Sequence, residues 1–303
     1  MTPRAVGVVV VNFRTPDLTL ACAESLRGLD YPLWKLLVVD NASGDDSVGK
    51  FAAALPAQEL LVAPSNGGYT AGNNLGVAEM LRRGCEYILV LNPDTVVVNR
   101  RFVSELVEHL EANAAIGAVG PRVFLRRHGN VQNTVLRFPW VWRRTVDWVK
   151  IRLFGAPMRS RNQALDAEVL NGVCVLFRGS ALKEVGLFDE WTFAYIEDVD
   201  WAYRAERLGW KRSYLPIDSV VHLQKESGYE RGGTVDYLLK RNTLYFLLKS
   251  RRWIQAAGYT AATMAMAAVQ SAKKGSLGWS RRLGSAYFAL WTARWNAVMG
   301  RPR

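Results

Sequence analysis

Short apolar runs rich in β-branched residues recur along the first 120 positions: Val6–Val11, Leu36–Val39, Leu60–Val62, Ile88–Leu91 and Gly117–Val119. Between them, near 17–27, 46–54, 70–83 and 100–112, apolar positions return at helical spacing. Runs of Val, Leu and Ile without polar alternation are what a strand covered on both faces requires. Such strands alternating with helices predict a mostly parallel, Rossmann-like α/β sheet flanked by helices. Ligands of these sheets bind beyond the carboxyl ends of the strands. Polar residues gather there: Asn12 after the first run, Asp40 and Asn41 after the second, Asn92-Pro93-Asp94 after the fourth. Any one of them alone reads as a helix cap. Together they point to a shared site.

The alternation stops after about residue 120. Residues 137–161, RFPWVWRRTVDWVKIRLFGAPMRSR, hold seven basic residues against one acid, with three Trp and two Phe. Farther on, 256–272 carry no charge and are flanked by Arg251-Arg252 and Lys273-Lys274. Trp279, Leu283, Tyr287, Trp291 and Trp295 then recur every four residues, which predicts an aromatic stripe on a helix. The chain thus divides into an α/β domain, 1–233, with halves of about 1–100 and 101–233, and a C-terminal helical extension, 234–303.

Charge sharpens this division. The net charge of +12 invites a nucleic-acid reading, but residues 1–233 hold 27 Lys and Arg against 26 Asp and Glu. Residues 234–303 hold 12 basic residues against a single acid, Asp236. No nucleic-acid-binding motif accompanies that excess, so no nucleic-acid partner is expected. Basic residues among Trp and Tyr suit the surface of an anionic membrane. The competing reading is a helical hairpin packed on the α/β domain or in a homo-oligomer. Cys22, Cys85 and Cys174 form no CxxC pair, which fits a reducing compartment. The opening MTPRAVGVVVVNF has too short an apolar run for a signal peptide, so a cytoplasmic location is expected.

Five stretches carry candidate chemistry. In YIEDVD, 195–200, Glu197, Asp198 and Asp200 precede an amphipathic segment. Acids in a first helical turn complement the dipole, the ordinary reading; a carboxylate placed as a base is the sharper one. VVDNASGDDS, 38–47, ends a strand at Asp40, where a carboxylate can accept from the N–H edge of a pyrimidine. NGGYTAGNNLG, 66–76, sets four glycines around Asn66, Asn73 and Asn74. Glycines let an anion approach backbone N–H groups, although neither the P-loop nor the GxGxxG order is present. LNPDT, 91–95, leaves Asp94 past a buried strand, where a carboxylate holding Mg²⁺ or Mn²⁺ can neutralise a departing diphosphate. His222, in SVVHLQKESG, is either a second ligand or a structural histidine.

Taken in order, VVVVNF, VVDNASGDDS, NGGYTAGNNLG, LNPDT, NGVCVLFRGSALKEVGLFDE and IEDVDWAYRAERLGW resemble family 2 glycosyltransferases of the GT-A fold. The likeness covers roughly residues 5–225 and is greatest to bacterial rhamnosyltransferase-like members of cell-surface polysaccharide synthesis. It implies an inverting, metal-dependent transfer of a hexosyl group from a nucleotide-diphosphate sugar. dTDP-rhamnose is the first candidate donor and UDP-sugars the next; the acceptor would be a glycan or a polyprenyl-diphosphate-linked sugar. On this resemblance Asn12 and Asp40, with Asn41 beside them, hold the base and ribose. Asn66, Gly68 and Asn73 close over donor phosphate and sugar, with Asn92 below. Asp94 and His222 bind the Mg²⁺ or Mn²⁺, Asn92 standing where the family's DxD motif has its first Asp. Asp198 is the catalytic base. Glu197 and Asp200 raise its proton affinity by repulsion and support the acceptor, Asp200 also capping the helix. A lipid-linked acceptor would place the protein on the inner face of the cell membrane. Two other classes compete. A sugar-nucleotide pyrophosphorylase needs a Gly-rich, Arg-containing loop where this chain has NFRTP. A non-catalytic scaffold of the same fold has no need of Asp94, Asp198 and His222.

Overall fold

The computed structural model describes residues 4–125, 130–139, 163–223, 233–274 and 278–298, so most of the basic aromatic stretch at 137–161 lies outside the described residues. The first half runs β1 (Val6–Asn12), α1 (Pro16–Leu26), β2 (Trp34–Asp40), α2 (Ser47–Ala54), β3 (Leu60–Val62), α3 (Gly68–Arg82), β4 (Tyr87–Leu91), β5 (Thr95–Val97), α4 (Phe102–Ala112) and β6 (Ile116–Leu125). Short strands β7 (Val135–Leu136), β8 (Leu165–Asp166) and β9 (Val169–Leu170) follow. Then come β10 (Cys174–Arg178), α5 (Gly179–Val185), α6 (Glu197–Arg207) and β11 (Lys211–His222). Three further helices are α7 (Thr234–Lys249), α8 (Trp253–Lys274) and α9 (Gly278–Val298).

The main sheet has the order β3-β2-β1-β4-β10-β6-β11-β5, with β8 also paired to β11. β3, β2, β1 and β4 are mutually parallel, as the apolar runs predict. Beyond them the sheet is mixed. β10 enters between β4 and β6 antiparallel to both, and β5 lies antiparallel to β11. β1 explains the layering, since all seven of its residues are buried and successive side chains point to opposite faces. Val6, Val8 and Val10 meet Cys22, Leu26, Phe102 and Leu106 on one face. Val9 and Val11 meet Val77 and Met80 on the other. Each fully buried Val or Leu contributes roughly 1.5–3 kcal/mol, so these two layers hold the strand ends where the polar residues emerge.

The described residues fall into two compact units, one within 1–138 and 160–230, the other within 139–159 and 231–303. In the second unit the aromatic stripe turns inward. Leu283 is 0% and Tyr287 2% exposed, and Trp291 Nε1 donates to Thr260 Oγ1 at 3.1 Å. Leu283, Tyr287 and Trp291 therefore form a seam between helices, and the side chains of Trp279 and Trp295 lie outside the described residues. Among the described residues no helix is long and apolar enough to cross a membrane.

Candidate active site

The parallel register sets Asn12 beside Asp40 at the carboxyl ends of β1 and β2. Asn12 is 0% exposed and its amide is fully engaged: Nδ2 donates to Asp40 Oδ1 at 2.8 Å and to Ser43 Oγ at 3.1 Å, while Oδ1 accepts from Thr19 Oγ1 at 2.9 Å. Asp40, 1% exposed, also accepts from the Ser43 hydroxyl at 2.6 Å and backbone N–H at 3.1 Å. Asn12 and Asp40 thus lie buried side by side, and Asn12 shapes the 40–43 turn from inside.

The glycine-rich stretch is not a loop. Residues 68–82 form α3, and its glycines let that helix sit directly on β1. A Cβ at Gly72 would lie 2.7 Å from Val11 Cγ1, and one at Gly76 would lie 2.4 Å from Val9 Cγ1. Gly68 is constrained twice over: its φ is +83° and an added Cβ would meet the Phe193 carbonyl oxygen at 2.2 Å. Asn41 Nδ2 donates to Gly68 O at 2.8 Å and to Asn66 Oδ1 at 3.0 Å, with Asn66 exposed at the rim. Gly68→Ala is expected to cost about 1–3 kcal/mol, the range of overpacking, read as a lower denaturant midpoint with unchanged slope.

From α3 the chain grips the segment that carries the acids. Thr70 N–H donates to Phe193 O at 3.1 Å. Asn74 clamps Phe188 through both its N–H, at 2.9 Å, and its carbonyl, at 2.8 Å. That grip holds Phe193, Tyr195 and Ile196 at φ of 66°, 68° and 73°, conformations that cost roughly 1–3 kcal/mol each in a non-glycine residue. The strained turn delivers Glu197 and Asp198 at the first turn of α6. Asp198 Oδ1 accepts from Val199 N–H at 2.8 Å. Glu197 is 7% exposed, and its Oε2 has no hydrogen-bond partner. Burial pushes both carboxyls above the ordinary range, and for Glu197 the charge of Asp198 adds to it. The expected repulsion from Asp200 is absent as a cause. Asp200 is instead ion-paired to Arg204 at 2.8 Å, and Arg204 also bonds the Leu187 carbonyl at 2.7 Å. Burial, rather than repulsion from Asp200, is the main cause that raises the Asp198 carboxyl.

Across the cleft, the antiparallel pairing of β5 with β11 puts Thr95 opposite His222, and Leu223 N–H donates to Asp94 O at 2.8 Å. This ladder brings His222 Nε2 to 3.1 Å from Asp94 Oδ1, although 128 positions separate them in sequence. His222 Nδ1 lies 2.8 Å from Gln132 Oε1, an acceptor, which assigns the Nδ1–H tautomer to a neutral ring. The Nε2 lone pair then faces a carboxylate, an arrangement that calls for a proton or a cation between them. The donor set therefore fits a divalent metal. Among the described residues no third His, Cys, Asp or Glu joins this pair.

Tyr69 connects the two halves of the site, and the sequence reading passed over it. Its hydroxyl lies 2.9 Å from Asn92 Oδ1 and 3.1 Å from Gly172 O, and its ionisation is suppressed first by burial and then by the charges of Glu197, Asp198 and Asp94. Two neighbouring acids at the start of α6 and one in the turn before β5 act on one phenol. Tyr69, Gly172, Glu197 and Asp198 line a cavity together with Arg212 and a mostly apolar remainder that includes Phe177, Phe188 and Trp201. Asn73 sits one turn behind, with Nδ2 bonded to Tyr69 O at 2.8 Å and a buried Oδ1 that has no partner.

Residues 3–256 match the family described as glycosyltransferase like family 2. Among curated proteins the chain is similar to N-acetylglucosaminyl-diphospho-decaprenol L-rhamnosyltransferase of Mycobacterium tuberculosis, 27% identical over 237 residues, 73% of this chain and 76% of that protein. It is also similar to the low-salt glycan biosynthesis hexosyltransferase Agl10 of Haloferax volcanii, 23% identical over 72% of this chain and 67% of that one. Among solved structures, S. aureus TarS 1–349 in complex with UDP-GlcNAc superposes with a TM-score of 0.53 at 16% identity, over 80% of this chain and 66% of that one. The mannosyltransferase PcManGT from Pyrobaculum calidifontis, in complex with GDP-Man and Mn²⁺, gives 0.54 at 17% identity, over 97% of this chain and 88% of that one. These likenesses show the GT-A fold.

Proposed function

The chain belongs to glycosyltransferase family 2, and we propose that it transfers a hexosyl group, L-rhamnose first among the candidates, with inversion at the anomeric carbon. The donor would be a nucleotide-diphosphate sugar, dTDP-rhamnose or a UDP-sugar. The acceptor would be a hydroxyl of a glycan or of a polyprenyl-diphosphate-linked sugar in cell-surface polysaccharide synthesis, met at the inner membrane face. Residues 1–233 are the catalytic domain in this reading and 234–303 its membrane-facing extension. The observation that carries it is the placing of Tyr69, which lines one cavity with Glu197 and Asp198 of α6 and bonds Asn92, two residues before the Asp94 that pairs with His222 of β11. The acceptor preference is supported by the Mycobacterium relative, whose name specifies a diphospho-decaprenol substrate.

Asp198 takes the acceptor hydroxyl proton as its oxygen bonds the anomeric carbon, opposite the breaking bond to the diphosphate. Partial burial lifts its proton affinity toward what that task needs, while Glu197, more deeply buried, favours its neutral form. Asp40 meets the nucleotide, and Asn12 acts through it as a positioning residue. Asn41 holds the Gly68 carbonyl and Asn66, so the start of α3 keeps its place at the donor phosphates. Tyr69 fixes Asn92 beneath them. Asp94 and His222 would hold a divalent cation, which when bound neutralises the charge of the departing diphosphate. A single imidazole nitrogen in the set favours Mn²⁺ over Mg²⁺, which prefers oxygen ligands.

The test is transfer from a panel of nucleotide sugars to a synthetic lipid-linked N-acetylglucosamine acceptor, with the anomeric configuration of the product read by NMR. One donor is expected to dominate and the product to be inverted. Retained configuration, or no turnover with any hexose donor, rejects this reading.

A further inference from the structure

Between residues 254 and 269, α8 presents an outer face without polar residues. A surface helix ordinarily turns charged and polar residues to water and apolar ones inward. Here the inward positions include Tyr259, Thr263 and Ser271 at 8%, 2% and 5% exposure. They are satisfied within the unit: Thr263 Oγ1 donates to the Tyr287 hydroxyl at 3.1 Å and Ser271 Oγ to Ser280 Oγ at 2.9 Å. From residue 254 to 269 the described exposed positions are Ile, Met, Val, Ala and Gly alone. Ile254 is 90%, Met266 51% and Val269 56% exposed, and Phe288 on α9 stands out at 75%. At 1.5 Å per residue this apolar face runs for about 24 Å. A face of that kind has an occupant.

Charge selects it. Residues 234–303 hold 12 basic residues, and their single acid, Asp236, is ion-paired with Lys240. Two copies of so basic a unit repel each other, which disfavours a second chain. Nucleic acid matches the charge but offers nothing to Ile254 or Val269. An anionic lipid leaflet satisfies both, taking the apolar face into the acyl boundary and the exposed Arg251 and Arg252 at the headgroups. The helix is too weakly apolar to cross a bilayer, so it lies in the plane.

We infer that the outer face of α8, from Ile254 to Val269, is a docking surface for an anionic membrane, with the helix lying flat at the headgroup boundary. The inference rests on the membrane location proposed above for the acceptor, but it is tested without any transfer. The full-length protein is floated with vesicles of phosphatidylglycerol and phosphatidylcholine, and with phosphatidylcholine alone. The mixed vesicles are expected to carry it up and to release it as salt rises; the neutral ones hold it weakly. Met266→Glu with Val269→Glu is expected to weaken vesicle binding by at least about tenfold with helicity and Tm unchanged, since both positions are solvent-exposed. As a second measure, an environment-sensitive dye at Val269→Cys is expected to shift to the blue on mixed vesicles; the three native cysteines are buried and stay unlabelled. The inference is overturned if the wild type stays at the bottom of the gradient, if the double variant floats equally well, or if the dye is silent. Sedimentation of the lipid-free protein as a dimer that the double variant dissolves would assign the face to a second copy instead. Transfer to a soluble acceptor would survive each of these results, so the catalytic reading fails or stands separately.

Discussion

Asp198→Asn is expected to lower transfer by at least about 100-fold, the usual scale of general-base catalysis, while nucleotide-sugar affinity stays near that of the wild type. The amide keeps the size of the carboxyl and can still accept from Val199 N–H, but it cannot take a proton. Unfolding would not explain such a loss. Burial raises the carboxyl above its ordinary 3.8, so between that value and the raised one the folded chain binds more protons than the unfolded, and stability falls as pH rises. Removing the charge at neutral pH should therefore hold Tm or raise it. The same shift sets the acid limb of the rate profile: activity falls as pH falls through the raised value, at a higher pH than an exposed Asp would give. Glu197→Gln is the control. Burial, and then the charge of Asp198, favour neutral Glu197, which a glutamine imitates, so its kcat should stay within a few-fold of wild type. Wild-type turnover in Asp198→Asn together with a dead Glu197→Gln would move the base by one residue.

Asp94→Ala is expected to weaken binding of the nucleotide diphosphate by about tenfold or more in the presence of Mn²⁺ and to abolish the difference that Mn²⁺ makes. The reason is electrostatic: a cation shared between protein and diphosphate loses its anionic anchor. His222→Ala should act in the same direction and less strongly. Gln132 adds a sharper test. By accepting from Nδ1 it fixes which nitrogen of His222 faces Asp94, and partners of this kind commonly change metal affinity by about 10–100-fold when removed. Gln132→Leu should lower apparent Mn²⁺ affinity while leaving metal-free nucleotide binding unchanged. Calorimetric titrations of each variant, with and without chelator, read all three. If wild-type nucleotide affinity is indifferent to EDTA, Asp94 and His222 are a structural ion pair.

Of the site, the parts written in local order were legible in the residues alone. Unbroken Val and Leu runs dictated buried parallel strands, and residues at strand ends had to emerge on one edge, which is why Asp40, Asn41 and Asp94 could be named. The acids of α6 were visible as a cluster, and the C-terminal charge excess as a count. What a residue is bonded to was not visible. Asn12 and Asp40 looked like separate nucleotide contacts until register set them side by side and the amide bonded the carboxylate. The glycines of 66–76 looked like an anion loop, whereas three of them answer to side chains of β1 and to Phe193. Asp200 looked like a partner of Asp198, and Arg204 took it. Gln132 and Tyr69 carried no signal, because their roles arise from partners 90 and 23 positions away. The aromatic stripe of α9 had the right period for a membrane face, and packing turned its middle, Leu283 and Tyr287, inward while the outer face of α8 stayed exposed. Periodicity reports that a helix has two faces. Only the packing of its neighbours decides which one meets the solvent.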